Sequence, residues 1–323
     1  MSTILYLSLD DVKSLAVPMA EILERVEKVF QEKGLGHYEM PPKPGIHPMP
    51  DAFIHAMPSH LPRMSAAGIK WVSGFPENQK KGLPYISGLL ILNDPETGIP
   101  LAVMDCTWIT AMRTAAATAV SAKYCARRDS ETVAMLACGV QGRTNLEALS
   151  LVCPHIKEVR AYDINGSVQE RYVKDMGERF NFQVRGASGP EEAVRGSDII
   201  VTSGPIFKHP SPVIEKSWLK KGVFIGPVDF DSYVKPEVLT GADRFITDDR
   251  PQILYYQSQG YFLALPERID ELCDVVTGKI PGRTGEEELI VGMNLGISLL
   301  DMGTARLVHD KAKALKKGTG LPL

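Results

Sequence analysis

A short turn between a strand and a helix, near the middle of the chain, constrains the fold more than any other feature. The apolar run at residues 132–136 leads directly into the sequence ACGVQG at residues 137–142, and a helical pattern begins at about Gln141. This is the spacing of a GxGxxG turn with alanine in the first position. Such a turn lets the backbone approach a pyrophosphate at the helix N-terminus, where free N–H groups favour anions. It predicts a dinucleotide-binding unit.

An acidic residue follows the turn at the expected distance. Asp163 ends the next apolar run, about 20 residues further on, where a carboxylate would accept hydrogen bonds from the adenosine ribose hydroxyls. Residues 164–166 contain no arginine for a 2′-phosphate, so the pattern favours NAD over NADP. The alternative is a plain strand-to-helix turn, with Asp163 capping a helix that begins near Val168.

The second half of the chain alternates strand and helix patterns after Arg128. Strands are predicted at residues 132–136, 159–162, 198–202, 223–225, 245–247 and 289–291, and helices from about residue 141, over 168–180 and over 296–317, with a Gly-Pro tail beyond. Strands that alternate with helices indicate right-handed crossovers and a parallel sheet. The fold class predicted here is α/β, with a Rossmann-type doubly wound parallel sheet.

The first half has a different pattern, typical of a mixed α+β domain. A helix is predicted over residues 8–33, and the Pro-rich segment 39–62 is expected to be extended or looped. Short apolar runs separated by turn signals between residues 68 and 104 predict an antiparallel sheet with hairpins. An alanine-rich helix follows over residues 107–127.

Length and charge exclude several classes of protein. The chain has 323 residues, which favours two domains, and its 36 basic and 39 acidic side chains leave a net charge of −3. That balance provides no global field for nucleic acid or an anionic membrane. The five cysteines are scattered, without a CxxC pair, no HExxH motif is present, and the first residues do not predict a secretory signal. We therefore expect a cytoplasmic protein without metal, nucleic-acid partner or membrane.

Three cations of the first half stand among apolar or small neighbours: Lys43, Lys70 and Arg113. Buried cations need partners, and a substrate carboxylate held by an arginine fork and a lysine is one such partner. An ordinary ion pair or a side chain that extends to solvent is the alternative.

Several longer motifs then become informative together. They are GIK at residues 68–70, FPEN at 75–78, LAVMD at 101–105, TAMRTAA at 110–116, GVQ at 139–141, SDIIVT at 197–202, TGKIPGR at 277–283 and LGISLLD at 295–301. In these motifs the chain resembles the ornithine cyclodeaminase/mu-crystallin family, from about Tyr6 to Ala314. The resemblance implies a homodimer with two domains per chain. Residues 1–127 plus 300–323 would bind substrate and dimerise, residues 128–299 would bind NAD, and an amino or imino acid would bind in the cleft between them.

The resemblance also implies residue roles. Lys70 and Arg113 would hold the substrate carboxylate, with Lys43 standing where the family usually has arginine, and Lys70 is also expected as a proton donor. Asp229 would be the catalytic acid, although it is displaced by one residue from the family pattern, which leaves Asp231 as a competitor. The residues expected to contact the cofactor are Arg113, Thr114, Gly139, Val140, Gln141, Asp163, Ser203 and Val228.

One departure from the family bears on the substrate. Members that act on ornithine carry an acidic residue just before a Met-Pro pair, whereas this chain has His55 in the sequence HAMP. Without that anion the site has no partner for a second ammonium, although His55 is otherwise explained as a polar residue beside the cleft. The favoured function is therefore an NAD-dependent amino or imino acid oxidoreductase, either a cyclic ketimine (imine) reductase or an alanine dehydrogenase. The alternatives are ornithine cyclodeaminase and a crystallin-like binding protein without catalysis.

Overall fold

The computed structural model describes residues 3–323, apart from the side chain of Gln79, and it divides into two compact units. Unit 1 comprises the chain up to Arg113 together with Gly296–Leu323, and unit 2 is Thr114–Leu295. The boundaries expected from the sequence, after residue 127 and after residue 299, lie later in the chain. The difference at the first boundary arises because one helix contributes residues to both units. The binding and dimerisation roles given to the units remain predictions.

Unit 1 contains a seven-stranded mixed sheet. Its strands are β1 (Thr3–Leu7), β2 (Gly45–Ile46), β3 (Phe53–Leu61), β4 (Ala66–Gly74), β5 (Ile86–Asn93), β6 (Pro100–Asp105) and β15 (Thr319–Pro322), in the spatial order β15-β1-β6-β5-β4-β3-β2. All neighbours are antiparallel except β1 and β6. The hairpins predicted between residues 68 and 104 are therefore present, and the Pro-rich segment before them contributes the long strand β3.

Four helices accompany this sheet: α1 (Leu9–Ser14), α2 (Met19–Gly34), the first part of α3 (Thr107–Cys125) and α10 (Ser298–Leu315). Helix α10 packs against β3, β4 and α2. It is buried along most of its length, which fits the apolar residues of its sequence. Helix α10 thus forms one side of the core of unit 1.

Two expectations for the ends of the chain are wrong. The helix predicted over residues 8–33 is interrupted, because Ala16 adopts a left-handed φ of +47° and Pro18 starts a second helix. The Gly-Pro tail expected beyond the last helix, for which no strand was predicted, forms strand β15. Gly318, with φ +94°, turns the chain back after α10, and β15 then pairs antiparallel with β1.

Unit 2 contains an eight-stranded sheet in which every pairing is parallel. Its strands are β7 (Thr132–Leu136), β8 (Glu158–Tyr162), β9 (Gln183–Gly186), β10 (Ile199–Thr202), β11 (Phe224–Pro227), β12 (Arg244–Thr247), β13 (Asp270–Glu271) and β14 (Ile290–Met293). The spatial order is β13-β12-β14-β11-β10-β7-β8-β9. The sequence missed β9 and β13, which are short strands towards the two ends of the sheet.

The remaining helices cover this sheet. They are α4 (Val140–Val152), α5 (Gly166–Arg179), α6 (Pro190–Val194), α7 (Pro236–Thr240), α8 (Arg250–Ser258) and α9 (Leu272–Val276). The strand order reverses between β7 and β10, and in such sheets ligands bind beyond the carboxyl ends of the strands at that point. The Rossmann-type α/β fold predicted from the sequence is confirmed. No helix within residues 3–323 is long and apolar enough to cross a membrane.

Candidate active site

A buried carboxylate joins two of the three predicted cations in unit 1. Asp301 on α10 places Oδ2 at 2.8 Å from Nζ of Lys70 on β4, and Oδ1 at 2.8 Å from Nε of Arg113 on α3. Lys70 also donates to the hydroxyl of Thr110 at 3.4 Å. All three charged side chains are buried. The ion-pair alternative weighed for Lys70 and Arg113 is therefore realised, and it involves an acid that the sequence did not single out.

Burial and charge act in opposite directions on this cluster. Burial and the neighbouring Arg113 lower the pKa of Lys70, and Asp301 offsets part of that shift. Burial alone would raise the pKa of Asp301, but Arg113 and Lys70 outweigh it and hold that pKa below its usual value. Asp301 is therefore ionised, and it supports the charge of Lys70 away from solvent.

Gly296 links the third cation to the same cluster. Lys43 is buried and donates from Nζ to the carbonyl oxygen of Gly296 at 3.3 Å. A Cβ added at Gly296 would lie 2.6 Å from Nη1 and 3.1 Å from Nη2 of Arg113. Lys43 and the terminal nitrogens of Arg113 thus converge on one residue. Lys70, Arg113 and Asp301 together hold two cations and one carboxylate, a net formal charge of +1.

His55 lies on β3, which pairs with the strand that carries Lys70. Its ring is buried and stacks on Phe53 with a centroid distance of 4.3 Å. Burial, followed by the charges of Lys43, His47 and Lys70, lowers the pKa of His55 to about 3. The imidazole is therefore neutral at physiological pH, and its surroundings are cationic.

In unit 2 the turn at residues 137–142 has the geometry that its sequence predicts. Ala137 adopts φ +70°, the left-handed conformation that usually favours glycine. A Cβ at Gly142 would lie 2.4 Å from the carbonyl oxygen of Ala137, so glycine is needed for the close approach of helix and turn. Gly139 caps α4 without a side-chain hydrogen bond and is exposed, as is Val140. The first N–H groups of α4, including that of Gln141, are left for another acceptor.

Asp163 is oriented by backbone groups at the carboxyl end of β8. Its Oδ2 accepts from the N–H of Cys138 at 2.8 Å, and its Oδ1 accepts from the N–H of Asn165 at 2.9 Å. The N-cap of α5 is Asn165, whose side chain accepts from Ser167. Asp163 is therefore not the helix cap considered as the alternative. Its carboxylate stands beside the turn of residues 137–142.

The other residues expected near the cofactor lie at neighbouring strand ends. Ser203 follows β10 and donates from Oγ to the carbonyl oxygen of Ala137 at 2.9 Å, while Val228 follows β11 and donates its N–H to Thr202 at 2.8 Å. Arg113 belongs to unit 1, and Thr114 is the first residue of unit 2. Their predicted contacts with the cofactor remain predictions.

The two candidate catalytic acids differ in their partners. Asp229 is fully buried and accepts from Oγ1 of Thr202 at 2.5 Å and from the N–H of Gly204 at 2.6 Å. Burial raises the pKa of Asp229 to about 7 in spite of these hydrogen bonds. Asp231 accepts from the N–H of Leu263 at 3.0 Å, and burial raises its pKa as well. Asp229 thus changes protonation state near neutral pH while lying at the end of β11.

Asp301 is the residue that the sequence analysis missed. Asp301 is the last residue of the LGISLLD motif, and its pairing with β4 and α3 cannot be read from local sequence. One signal was available: Asp301 is an acid in an otherwise apolar helical segment, where burial of a carboxylate requires a cationic partner. That signal predicts a partner but not its identity.

The fold, the buried cluster around Asp301 in unit 1 and the residues at the strand ends of unit 2 define a class of protein. It is a two-unit α/β protein with a dinucleotide-type turn and a buried cationic cluster. The model of the ornithine cyclodeaminase/mu-crystallin family matches residues 5–316. The chain belongs to this family, and the family resemblance predicted from the sequence is confirmed.

Related proteins cover nearly the whole chain. "Nodulation efficiency protein NfeD" of Rhizobium meliloti is 35% identical, with 97% of each chain covered. Alanine dehydrogenase of Archaeoglobus fulgidus is 34% identical, with 98% of this chain and 97% of the relative covered.

Solved structures agree with those sequence relatives. The Δ1-pyrroline-2-carboxylate reductase of Thermococcus litoralis, in complex with NADH and L-proline, superposes with a TM-score of 0.89 at 32% identity, over 98% of this chain and all of that one. A dimer of archaeal alanine dehydrogenase with bound NAD gives a TM-score of 0.90 at 33% identity, over the full length of both chains. The predicted class of function, an NAD-dependent enzyme of small amino or imino acids, agrees with these neighbours.

Proposed function

We propose that this chain is an NAD(H)-dependent oxidoreductase that transfers a hydride between the nicotinamide and the α-carbon of a small amino or imino acid. One observation carries the proposal, namely the buried cluster of Lys70, Arg113 and Asp301, in which two cations share one carboxylate. An excess of buried cations is costly without an anion. A substrate carboxylate supplies that anion.

The residues of unit 2 fit NAD(H). The uncapped start of α4, at Gly139, Val140 and Gln141, suits the pyrophosphate, since helix N-termini bind anions. Asp163 suits the ribose hydroxyls, because backbone N–H groups already orient its carboxylate. The same carboxylate would repel a 2′-phosphate, which supports NAD over NADP. Ser203, Val228, Arg113 and Thr114 complete the proposed set, and the bound cofactor supplies or accepts the hydride.

The chain's own residues would orient the substrate and handle its proton. Arg113 and Lys70, with Lys43 beside them, would hold the carboxylate and so fix the α-carbon within about 3–3.5 Å of the reacting partner. Lys70 is also a proton donor by the same proposal, since burial lowers its pKa and so makes its ammonium a stronger acid. Asp229 would stabilise the iminium and exchange the proton of the substrate nitrogen, and its pKa of about 7 suits an acid that must also act as a base.

The surroundings of His55 favour a substrate without a distal ammonium. The ring is neutral, and Lys43 and Lys70 make its environment cationic. A second ammonium would meet repulsion there, which disfavours ornithine. Pyrroline-2-carboxylate, piperideine-2-carboxylate and the imine of pyruvate satisfy this condition, so we propose a cyclic ketimine reductase or an alanine-type dehydrogenase.

We include a homodimer and a cytoplasmic location in the same proposal. The face of the unit 1 sheet opposite α10 exposes large apolar side chains, among them Trp71 and Leu89, which are opposite each other on β4 and β5. An apolar sheet face of this kind is typical of an interface. The archaeal alanine dehydrogenase relative is a dimer. A cytoplasmic location matches the NADH that the proposed reaction consumes.

A substrate panel with the purified protein tests the function. We expect NADH oxidation with pyrroline-2-carboxylate, piperideine-2-carboxylate, or pyruvate plus ammonia. Release of proline and ammonia from ornithine without net NADH change would instead identify an ornithine cyclodeaminase. NADH binding without turnover of any substrate would identify a binding protein of the crystallin type. The Arg113→Ala variant serves as the site control, and it should raise KM and lower kcat together, because the lost clamp costs both binding and orientation.

A further inference from the structure

We propose that Asp301 is a positioning residue of the substrate site, which holds Lys70 and Arg113 as one fixed pair and directs the terminal nitrogens of Arg113 to the substrate carboxylate. This inference rests on the proposed function. It concerns a side chain that would itself contact neither substrate nor cofactor.

The geometry at Arg113 decides which of its donors remain for a ligand. Asp301 takes Nε at 2.8 Å and is the only hydrogen-bonding or ion-pair partner of Arg113 among residues 3–323. The guanidinium therefore keeps both terminal nitrogens for a ligand. That end of the group is the one that binds a carboxylate through two parallel hydrogen bonds.

Gly296 leaves room for the two terminal nitrogens of Arg113, because it has no side chain. With φ +80° and no side chain, it lets Nη1 and Nη2 lie where even a Cβ would collide. The opposite edge of Arg113 is held by Asp301, so the guanidinium is fixed from two sides. A fixed fork loses less conformational entropy when it binds a carboxylate than a mobile one.

The negative charge of Asp301 contributes to the site in addition to its hydrogen-bonding geometry. Lys70 and Arg113 repel each other in a buried site, and Asp301 contacts both of them, one with each oxygen. With Asp301 the pair carries a net charge of +1, which a single carboxylate neutralises. Without it, Lys70 loses the anion that keeps it protonated, and the site can no longer bind a carboxylate at alkaline pH.

The Asp301→Asn substitution removes the negative charge while keeping a side chain of nearly the same size and shape. It should raise KM by about ten- to a hundredfold, the range of a lost charge-assisted interaction. In the oxidative direction, where Asp229 sets the acidic limb, it should also move the alkaline limb of kcat/KM to lower pH by about one to three units, since removal of an adjacent anion lowers a lysine pKa by that amount. The matched control is Asp310→Asn on the same helix, whose carboxylate pairs with Arg306 in a partly exposed position. It should leave both quantities unchanged.

Affinity for NADH, measured by fluorescence titration, reports whether the Asp301→Asn protein is folded. If it is not, Asp301→Glu replaces it, and this variant should raise KM while keeping the wild-type alkaline limb, because the charge is retained. A wild-type KM and pH profile in the folded Asn variant would overturn the inference, as would a wild-type KM in the Glu variant. If the wild-type enzyme turns over no substrate of the panel, the proposed function fails. In that case the role of Asp301 is tested by calorimetry with L-proline as the ligand. The affinity for L-proline must be lower in the Asp301→Asn protein than in the wild type.

Discussion

A Cβ added at Gly296 would lie 2.6 Å from Nη1 of Arg113, so the backbone of one residue sets the place of the other's guanidinium. Gly296 comes from the segment that returns to unit 1, and Arg113 lies on α3. Substrate binding in the proposed site therefore depends on a residue with no side chain.

Gly296→Ala should raise KM for the imino acid by about tenfold or more, since the fork must move to make room. It also adds a backbone cost, because φ at Gly296 is +80°. Gly36→Ala is the matched control, since Gly36 has φ +78° and no atom within 4 Å of an added Cβ. Steady-state kinetics of both variants check the prediction. Equal effects on KM would show that backbone strain alone is responsible.

The protonation of Asp229 predicts a pH dependence that differs between the two directions of the reaction. Its pKa is raised to about 7, so the carboxyl is protonated below pH 7 and ionised above it. Reduction needs the acid form, so its rate should fall as pH rises through about 7. Oxidation needs the base form, so its rate should rise over the same interval. Rate profiles from pH 5 to 9 in both directions test this.

Asp229→Asn should lower kcat by a factor of about 100 or more and remove that pH dependence, which is the scale of a lost acid–base group. Asp231→Asn is the comparison, because Asp231 is buried two residues away and accepts from Leu263 rather than from Thr202 and Gly204. It should leave the pH dependence in place. A larger loss of kcat in the Asp231 variant would transfer the catalytic role to Asp231.

Asp163→Ala should weaken NADH binding more than NADPH binding. The substitution removes the proposed acceptor for the ribose hydroxyls and, equally, the repulsion of a 2′-phosphate. Asp175→Ala provides the control, since Asp175 pairs with Arg143 and is not in the proposed cofactor set. Fluorescence titration of both cofactors gives the ratio of dissociation constants. An unchanged ratio would remove Asp163 from the ribose site.

His55→Glu should improve the affinity for ornithine by about tenfold, equivalent to ~1.4 kcal/mol. The new carboxylate would lie on the buried face of β3, among the cations that now surround the ring, and could pair with a second ammonium. His60→Glu is the control, because residue 60 lies on the opposite face of the same strand. Competition by ornithine against the imino acid substrate measures the effect. Equal inhibition of the two variants would show that His55 does not set this selectivity.

Most of the architecture follows from local sequence, and most of the exceptions are non-local. Short apolar runs divided by turn signals predicted the hairpins of unit 1, and alternating strand and helix patterns predicted the parallel sheet of unit 2. By contrast, β15 forms by antiparallel pairing with β1 at the edge of the sheet, and the sequence of residues 319–322 has no strand pattern. The break between α1 and α2 combines a positive φ at Ala16, which residue type alone does not indicate, with Pro18, a helix-breaking residue that the sequence does show.

The candidate site shows the same division. Lys43, Lys70 and Arg113 could be selected because cations among apolar residues are unusual. Their arrangement around Asp301 could not be predicted from the sequence. Asp301 reaches Lys70 and Arg113 only after α10 has packed against β3 and β4. Gly296 was likewise invisible as a contact of Arg113, because its role depends on what its missing side chain would meet.

The central claim is that a hydride passes between the cofactor and the α-carbon of an imino or amino acid. The most direct measurement uses NADH with deuterium in both C4 positions of the nicotinamide and follows the label into the product formed from pyrroline-2-carboxylate, by mass spectrometry. We predict that one deuterium appears at the α-carbon of proline with the enzyme and that it appears more slowly with the Arg113→Ala variant at the same substrate concentration. Proline without deuterium, or no reduction of any imine in the panel by an enzyme that binds NADH, would contradict it.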